Sequence, residues 1–246
     1  MSITIFTQFY EDEIGKNSHY PQVGLNSSSI KFHEIYWKTL ICMFSTARQH
    51  NPEHNLILVT NNINPVIKGG INVLDLLNNL NVKLIKEPFN YDPPDNFSLE
   101  WRSTFYKFDA LRAVLRNLKP DDIVIQIDSD CIWRKPANDF LDRLDDFDII
   151  GYSTNLDPLE NINGLNRIQL TEFAKTLGYE GLSPILHYGG EFLCGKVIYL
   201  NKLLDEIDKI WRLTVFDFKK GKSTLKTEEH IISCICLLYT SPSPRD

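Results

Sequence analysis

The sequence predicts an α/β fold with a mixed, mostly parallel central sheet flanked by helices. Three observations lead to this prediction. Short β-branched runs alternate with amphipathic stretches of helical periodicity, which is the pattern of a largely parallel sheet. The chain has 246 residues, 43% of them hydrophobic and 24% charged, which is ordinary globular composition and enough for one large domain with its own core. One β-branched run, at residues 123–127, ends directly in two aspartates, and polar residues at strand ends are typical of binding sites in such sheets.

The first part of the chain predicts three strands and two helices. Residues 2–9 (SITIFTQF) are rich in β-branched and aromatic side chains and predict the first strand. Residues 11–26 are polar and contain glycine and proline, which predicts a long loop that can line a site. Ser28 or Ser29 can cap a helix with one apolar stripe that continues to about residue 49. There follow a strand at 55–60, a helix at 71–79, a strand at 82–85 and a proline-rich loop at 87–95.

The second part continues the alternation. Residues 103–118 predict an amphipathic helix that ends before Pro120, because the residue before a proline disfavours helical backbone. The strand at 123–127 comes next. Further along, the sequence predicts a strand at 148–152, a helix at 169–177, a strand at 191–200, a helix at 202–216 and a last helix from 228 to about 238.

The final residues continue no pattern. Residues 237–246 read LLYTSPSPRD, which looks like translated sequencing-adapter read-through. We expect residues 240–246 to be a non-native tail and assign them no function.

Charge and cysteine content narrow the partners and the compartment. A net charge of -6 gives no basic field, so we expect no nucleic-acid partner. The five cysteines are odd in number and include no CxxC pair, which argues for a reducing compartment and against a disulfide framework or zinc site. The N-terminus lacks the features of a signal peptide, and no apolar run approaches the roughly 20 residues of a membrane span. We expect a cytoplasmic protein without a transmembrane segment, with peripheral membrane association left open.

Asp128, Ser129 and Asp130 follow the apolar strand at 123–127. Mg²⁺ and Mn²⁺ prefer oxygen ligands, and Mg²⁺ is often held by one or two carboxylates together with substrate phosphates. The alternative is a polar turn that merely ends a buried strand. The position after the strand favours a metal site at Asp128 and Asp130.

A second segment, WRSTFYKFDAL at residues 101–111, places Arg102, Lys107 and Asp109 at and near a helix start. Two cations and a helix N-terminus suit an anionic phosphate. A solvated face of an amphipathic helix explains the same residues equally well.

Two later segments carry glycines and carboxylates. In HYGGEFLCG, which starts at His187, Gly189 and Gly190 allow close backbone approach and Glu191 follows them, although a glycine turn before a strand is an equal alternative. In TEEHIIS, which starts at Thr227, Glu228 and Glu229 occupy a first helical turn, and plain helix capping is the better explanation of that segment alone.

In combination and in chain order, the R…KFDAL helix, the DxD strand end, the HYGGEF strand and the EEH helix start resemble nucleotide-sugar glycosyltransferases of the GT-A fold, a Rossmann-like architecture. The HYGGEF…EEH pair is loosely similar to the retaining α-1,3-galactosyltransferase and blood-group transferase type, where HAAIFGG and DESHLN segments stand at those places. The resemblance implies one domain over residues 1–239, with a nucleotide-binding part at about 1–135 and an acceptor-side part at about 136–239.

The resemblance also implies ligands and roles. The donor would be a UDP- or GDP-sugar, the acceptor a glycan, glycolipid or protein, and the cofactor Mn²⁺ or Mg²⁺. Asp130 would bind the metal, and Asp128 the metal, the ribose or both. Glu191, Glu228 and Glu229 would be the catalytic candidates. Further donor-binding residues would be Thr7, Gln8, Arg102, Lys107, Asp109 and Ser129, and the residues facing the donor sugar or acceptor would be His187, Gly189 and Gly190.

Two alternatives remain open from the residues. A phosphohydrolase of the haloacid dehalogenase type also uses an apolar strand that ends in DxD, with a nucleophilic aspartate. It is less favoured because Ile132 stands where that family usually has Thr or Val, and because the motif lies mid-chain. A non-catalytic module that binds a sugar nucleotide or glycan would keep the same fold.

Overall fold

The computed structural model describes residues 1–13, 18, 20, 24–65, 72–97, 100–154, 156–181, 183–222 and 224–240, with backbone only from 237. The strands are β1 (Ile3–Phe9), β2 (Asn55–Thr60), β3 (Val82–Lys86), β4 (Ile123–Ile127), β5 (Ile149–Thr154) and β6 (His187–Lys196). The α-helices are α1 (Ile30–His50), α2 (Val73–Asn79), α3 (Tyr106–Leu115), α4 (Asn138–Leu141), α5 (Arg167–Thr176), α6 (Val197–Lys219) and α7 (Glu228–Thr240). Short 3-10 helices lie at Arg102–Phe105 and Asp142–Asp145.

The strands form one six-stranded mixed sheet in the order β3-β2-β1-β4-β6-β5. β1, β2, β3 and β4 pair in parallel, whereas β6 runs antiparallel to both β4 and β5. The β1–β4 register pairs Phe6 with Gln126, so Gln8 and Asp128, two residues further along, reach the same edge of the sheet at the same level. The fold therefore brings the end of the first strand beside the two aspartates.

Helices cover both faces of the sheet because strand side chains alternate between them. Ile5, Leu58 and Ile125 pack in one core cluster with Trp37 and Phe44 of α1. On the opposite face, the buried side chains of β1, β2 and β4 pack with residues of α3, α6 and α7, which are represented by Phe6, Val59, Val124, Phe108, Leu204 and Ile231. The predicted α/β class, with a mostly parallel mixed sheet between helices, is confirmed.

The prediction for the β6 region was wrong. The sequence predicted a strand at 191–200 and a helix from 202, but β6 ends at Lys196 and α6 begins at Val197. The apolar run at 197–200 has the composition of a strand, but it forms the first turn of a helix. The buried side chains of that helix include Val197, Leu200, Leu203 and Leu204. Gly189 and Gly190 lie inside β6 rather than in a turn before it, so the turn alternative is also wrong.

Smaller boundary differences occur elsewhere. The helix predicted from residue 103 starts as the 3-10 turn Arg102–Phe105, and regular α-helix begins at Tyr106. The predicted loop at 11–26 lies partly outside the described residues, as do the start of the helix predicted at 71 and residues 241–246. In the described ranges, no helix combines the length and apolarity that a bilayer crossing requires.

Candidate active site

A pocket with a cavity volume of about 110 Å³ lies at the edge where β1 and β4 end. Gln8 contributes from β1, Asp128 and Asp130 follow β4, and Lys107 and Glu228 come from the first turns of α3 and α7. In sheets of this kind, ligands bind beyond the carboxyl ends of the parallel strands. The pocket therefore lies where the topology predicts a binding site.

One side of the pocket is aromatic. Phe32 and Tyr36, four residues apart on α1, stack at 4.5 Å between ring centroids, and Tyr36 also stacks on Phe9 at 5.3 Å. Tyr20 meets Trp101 edge-on at 5.2 Å. Burial, followed by the charges of Asp130 and Asp128, raises the pKa of Tyr36 to about 12, so its hydroxyl stays neutral near the carboxylates. The pocket offers flat apolar rings beside acidic groups.

The two aspartates differ in their surroundings. The Asp128 backbone NH donates to the carbonyl of Glu191 at 3.0 Å, which continues the β4–β6 pairing by one residue. Its Oδ1 accepts from Gln126 Nε2 at 3.2 Å and lies 3.4 Å from Lys107 Nζ. Asp130 is exposed, and no hydrogen bond or ion pair joins its carboxylate to the described residues. One carboxylate is thus anchored and the other is open.

The Asp128 pKa reflects competing influences. Burial raises the pKa of Asp128, Lys107 opposes the rise, and the neighbouring Asp130 adds to it, so the net direction is upward. The carboxylate therefore depends on nearby positive charge to remain ionised in this setting.

The donor set fits a shared Mg²⁺ or Mn²⁺ rather than a metal held by protein alone. Two carboxylates one residue apart are a ligand set that Mg²⁺ accepts when water and phosphate oxygens complete its shell. Within the described residues, no group of three or more His, Cys, Asp or Glu side chains is arranged to hold a metal. Asp128 and Asp130 are the residues that could hold such a cation at this edge of the sheet.

Lys107 forms the centre of a buried charge cluster. Its side chain is 4% exposed, and Nζ contacts the Gly190 carbonyl, Glu228 Oε1 at 3.1 Å and Asp128 Oδ1 at 3.4 Å. Burial alone would lower the pKa of Lys107, but the charges of Asp128, Glu228 and Glu229 outweigh it and raise the pKa above its ordinary value. The ammonium is therefore charged at neutral pH.

The two glutamates at the start of α7 face different surroundings. Glu228 is buried and lines the pocket, and its Oε2 has no hydrogen-bond partner among the described residues. Burial raises the pKa of Glu228, Lys107 lowers it and Glu229 raises it, with a net upward direction. The unpartnered Oε2 makes Glu228 the glutamate able to meet a ligand.

Glu229 is tied to protein groups instead. Its Oε1 accepts from the Gly190 NH at 3.3 Å, and its Oε2 accepts from Asn163 Nδ2 at 3.0 Å. His187 Nε2 lies 3.4 Å from Oε2, an ion-pair contact longer than a good hydrogen bond. Burial tends to raise the pKa of Glu229, but His187 outweighs it and the net direction is downward. Through its two oxygens, Glu229 links β6 to the loop at Asn163.

The paired glycines allow these approaches. A Cβ on Gly190 would lie 2.6 Å from Glu228 Oε1 and 2.7 Å from Lys107 Nζ. A Cβ on Gly189 would meet Glu191 Oε2 at 2.0 Å. Glu191 itself is exposed and is not part of the pocket lining. The close backbone approach predicted for the glycine pair occurs at Gly190, where a side chain would collide with Glu228 and Lys107.

Several predicted site residues have structural contacts and do not line the pocket. Arg102 pairs with Asp92. Asp109 accepts from Asn90 N at 2.8 Å, from Asn90 Nδ2 at 2.9 Å and from Tyr91 N at 3.0 Å. These hydrogen bonds hold the loop at Asn90 and Tyr91 against α3.

The remaining predicted residues lie at the margins of the site. Thr7 is fully buried in β1, whereas Gln8 lines the pocket with an Oε1 that is buried and unpartnered among the described residues. Ser129 is buried and lines the pocket beside the aspartates, and His187 is buried with Nδ1 3.3 Å from Thr154 Oγ1.

The aromatic side of the pocket was missed from the sequence. From the sequence, Tyr36 is predicted to belong to the apolar stripe of the first helix, and Tyr20 and Trp101 lie outside the predicted helices and strands. The i, i+4 spacing of Phe32 and Tyr36 is a usable signal, but it does not distinguish a core stripe from a pocket wall.

No protein-family model matches this chain, and no curated protein matches it. Function is therefore inferred from the chemistry of the site, since one fold supports many activities.

Proposed function

We propose that this chain is a metal-dependent glycosyltransferase of the GT-A fold that moves a sugar from a UDP- or GDP-sugar to a glycan, glycolipid or protein acceptor. One observation carries the proposal. At the edge where the parallel strands end, a single pocket combines stacked aromatic rings, the Asp128–Asp130 pair and the unpartnered Oε2 of Glu228. A nucleotide sugar needs those three environments in one place, for its base, its diphosphate and its reacting carbon.

The aromatic side suits the nucleoside. Bases stack on aromatic rings irrespective of sequence, and such stacking contributes about 1–3 kcal/mol per base. Tyr36 joins the two environments, because it stacks on Phe32 and lines the same pocket as Asp128 and Asp130. Gln8 Oε1, buried and without a described partner, is suited to accept from an N–H of the base or a hydroxyl of the ribose.

The aspartates suit the diphosphate end. Asp128 and Asp130 would hold Mn²⁺ or Mg²⁺, and the chemistry that such a cation would supply is neutralisation of charge on the leaving nucleoside diphosphate. Asp128 is oriented for this by Gln126 and by the strand pairing at Glu191, while the exposed Asp130 is accessible to solvent cations.

Glu228 suits the sugar end. A carboxylate next to the reacting carbon stabilises the oxocarbenium-like charge of glycosyl transfer. Burial removes water from Glu228, Lys107 at 3.1 Å from Oε1 favours its ionised form, and the buried Oε2 has no hydrogen-bond partner among the described residues. We assign Glu229 a positioning role, because its oxygens are engaged by Gly190 and Asn163.

We propose a cytoplasmic location, with peripheral membrane association left open. Cys42, Cys131, Cys194 and Cys234 are free thiols, which agrees with a reducing compartment.

The proposal is tested by incubating the protein with UDP- and GDP-sugars and measuring free nucleoside diphosphate with and without Mn²⁺. We expect Mn²⁺-dependent release from at least one donor, and we expect Asp130→Ala to abolish it. Asp121→Asn is the matched control, since Asp121 is an exposed aspartate just before the opposite end of the same strand. Release of inorganic phosphate from phosphoesters would favour the phosphohydrolase, and binding without turnover would favour the module. Full turnover in Asp130→Ala would refute the metal assignment.

A further inference from the structure

The Lys107 ammonium makes two hydrogen bonds and one ion pair, each with a different oxygen of the protein. A lysine ammonium has three N–H groups and no acceptor. Around Lys107 these oxygens are the Gly190 carbonyl, Glu228 Oε1 at 3.1 Å and Asp128 Oδ1 at 3.4 Å. With 4% of the side chain exposed, the group is committed to the protein and is not a free ligand for phosphate.

The two carboxylates that Lys107 joins come from distant parts of the chain and have separate roles in the proposed function. Asp128 follows β4 and would hold the metal, whereas Glu228 opens α7 and would face the sugar. Next to Glu228, Glu229 accepts from the Gly190 NH at 3.3 Å, and His187 of β6 lies 3.4 Å from its other oxygen. Lys107 thus lies between the carboxylates of Asp128 and Glu228 and contacts both.

The contact between Lys107 and Asp128 means that the ammonium and a divalent cation would compete for the same carboxylate. A divalent cation binds a carboxylate oxygen at about 2.1 Å. The oxygen nearest to Lys107, Asp128 Oδ1, already has an ammonium at 3.4 Å. A metal on that carboxylate would lie within a few ångströms of a fixed positive charge in a partly buried site, where repulsion between like charges is weakly screened.

We propose that Lys107 is a positioning residue whose ammonium holds Asp128 and Glu228 in place and competes with the divalent cation for Asp128, so that the metal binds firmly only together with the nucleoside diphosphate. The negative diphosphate supplies the charge that offsets the repulsion. This inference rests on the proposed function, since the diphosphate is its second ligand. It predicts that the divalent cation and the nucleotide-sugar donor bind together, and that the cation binds weakly when no nucleotide is present.

The test is Mn²⁺ binding without any nucleotide, followed through the electron paramagnetic resonance signal of free Mn²⁺. Lys107→Met removes the charge and keeps an unbranched side chain of similar length. We expect this variant to bind Mn²⁺ at least about tenfold more tightly than the parent protein, because the competing charge is gone. A purely structural role for Lys107 would leave the affinity unchanged or weaken it.

Two controls fix the interpretation. Lys83→Met changes the net charge equally at an exposed position on β3, and we expect no change in Mn²⁺ affinity. Adding Asp128→Asn to Lys107→Met should remove the gain, because Asp128 is the carboxylate that Lys107 contacts, and this assigns the tighter site to Asp128. If Lys107→Met does not fold, Lys107→Gln makes the same test, since its amide keeps two donors without charge.

The inference is overturned if folded Lys107→Met or Lys107→Gln binds Mn²⁺ no more tightly than the parent, or if the gain persists when the Asp128 carboxylate is removed. Turnover is not part of this measurement. A parent protein that releases no nucleoside diphosphate from any sugar nucleotide would refute the proposed function, whereas the comparison of Mn²⁺ affinities would still test the competition at Asp128.

Discussion

Gly190→Ala is the substitution that most directly probes the packing of the charge cluster. The added Cβ would lie 2.6 Å from Glu228 Oε1 and 2.7 Å from Lys107 Nζ, distances at which atoms must move. Both side chains are 4% exposed and paired with each other, so they can give way only into the adjoining pocket and with loss of that pairing. Overpacking of a filled interior costs about 1–3 kcal/mol. For a domain of this size, that loss corresponds to a fall in melting temperature of roughly 2–12 °C.

Gly189→Ala is the matched control. Its Cβ would meet Glu191 Oε2 at 2.0 Å, but Glu191 is exposed and can rotate into solvent, and the nearby Tyr152 is 52% exposed. We expect a change in stability within about 1 kcal/mol, since alanine also reduces the freedom of the unfolded chain. Urea unfolding followed by tryptophan fluorescence gives both values from the midpoint at constant m-value. Equal stability of the two variants would refute the description of β6 as packed against Lys107 and Glu228.

Further predictions concern pH and the glutamates. His230 Nδ1 accepts from Lys226 N at 3.1 Å, Nε2 lies 3.0 Å from the Ile162 carbonyl, and burial lowers the His230 pKa to about 4. Because the unfolded chain takes up this proton first, near its ordinary pKa of about 6.5, stability should fall between about pH 6.5 and pH 4, by roughly 2 kcal/mol at pH 5. Urea midpoints at pH 7.5 and 5 check this, and a His230→Gln variant with the same pH slope would contradict it. Glu228→Gln should keep the fold and reduce donor turnover at least about 100-fold, because a neutral amide cannot stabilise positive charge at the sugar. Glu229→Gln should instead mainly lower stability, and the reverse ranking in paired turnover and unfolding assays would exchange the two roles.

The main elements of the fold were predictable because local pattern and tertiary packing agree. β1, β2 and β4 bury β-branched runs on both faces, and α1 carries a capping Ser29 and one apolar stripe. The segment at 197–200 was not predictable in this way. Its β-branched and aromatic residues fit a strand locally, but packing of the amphipathic α6 against the sheet decides for helix.

The candidate site was predictable only in part. Asp128 and Asp130 stand out because they follow a buried strand, and Lys107 because it opens a helix. Which of Glu228 and Glu229 faces the pocket depends on the rotation of α7 and on contacts with Gly190 and Asn163, far away in sequence. The structural roles of Arg102 and Asp109 likewise depend on a loop at Asn90–Asp92 that sequence periodicity does not describe.

The most direct measurement for the proposed activity is nucleoside diphosphate release by the parent protein, in Mn²⁺ and in excess chelator, with each UDP- and GDP-sugar in turn. We expect release from at least one donor in Mn²⁺ and its loss in chelator, with the same loss in Asp130→Ala at full Mn²⁺. Release that continues unchanged in chelator, or the absence of release from every donor, would contradict it.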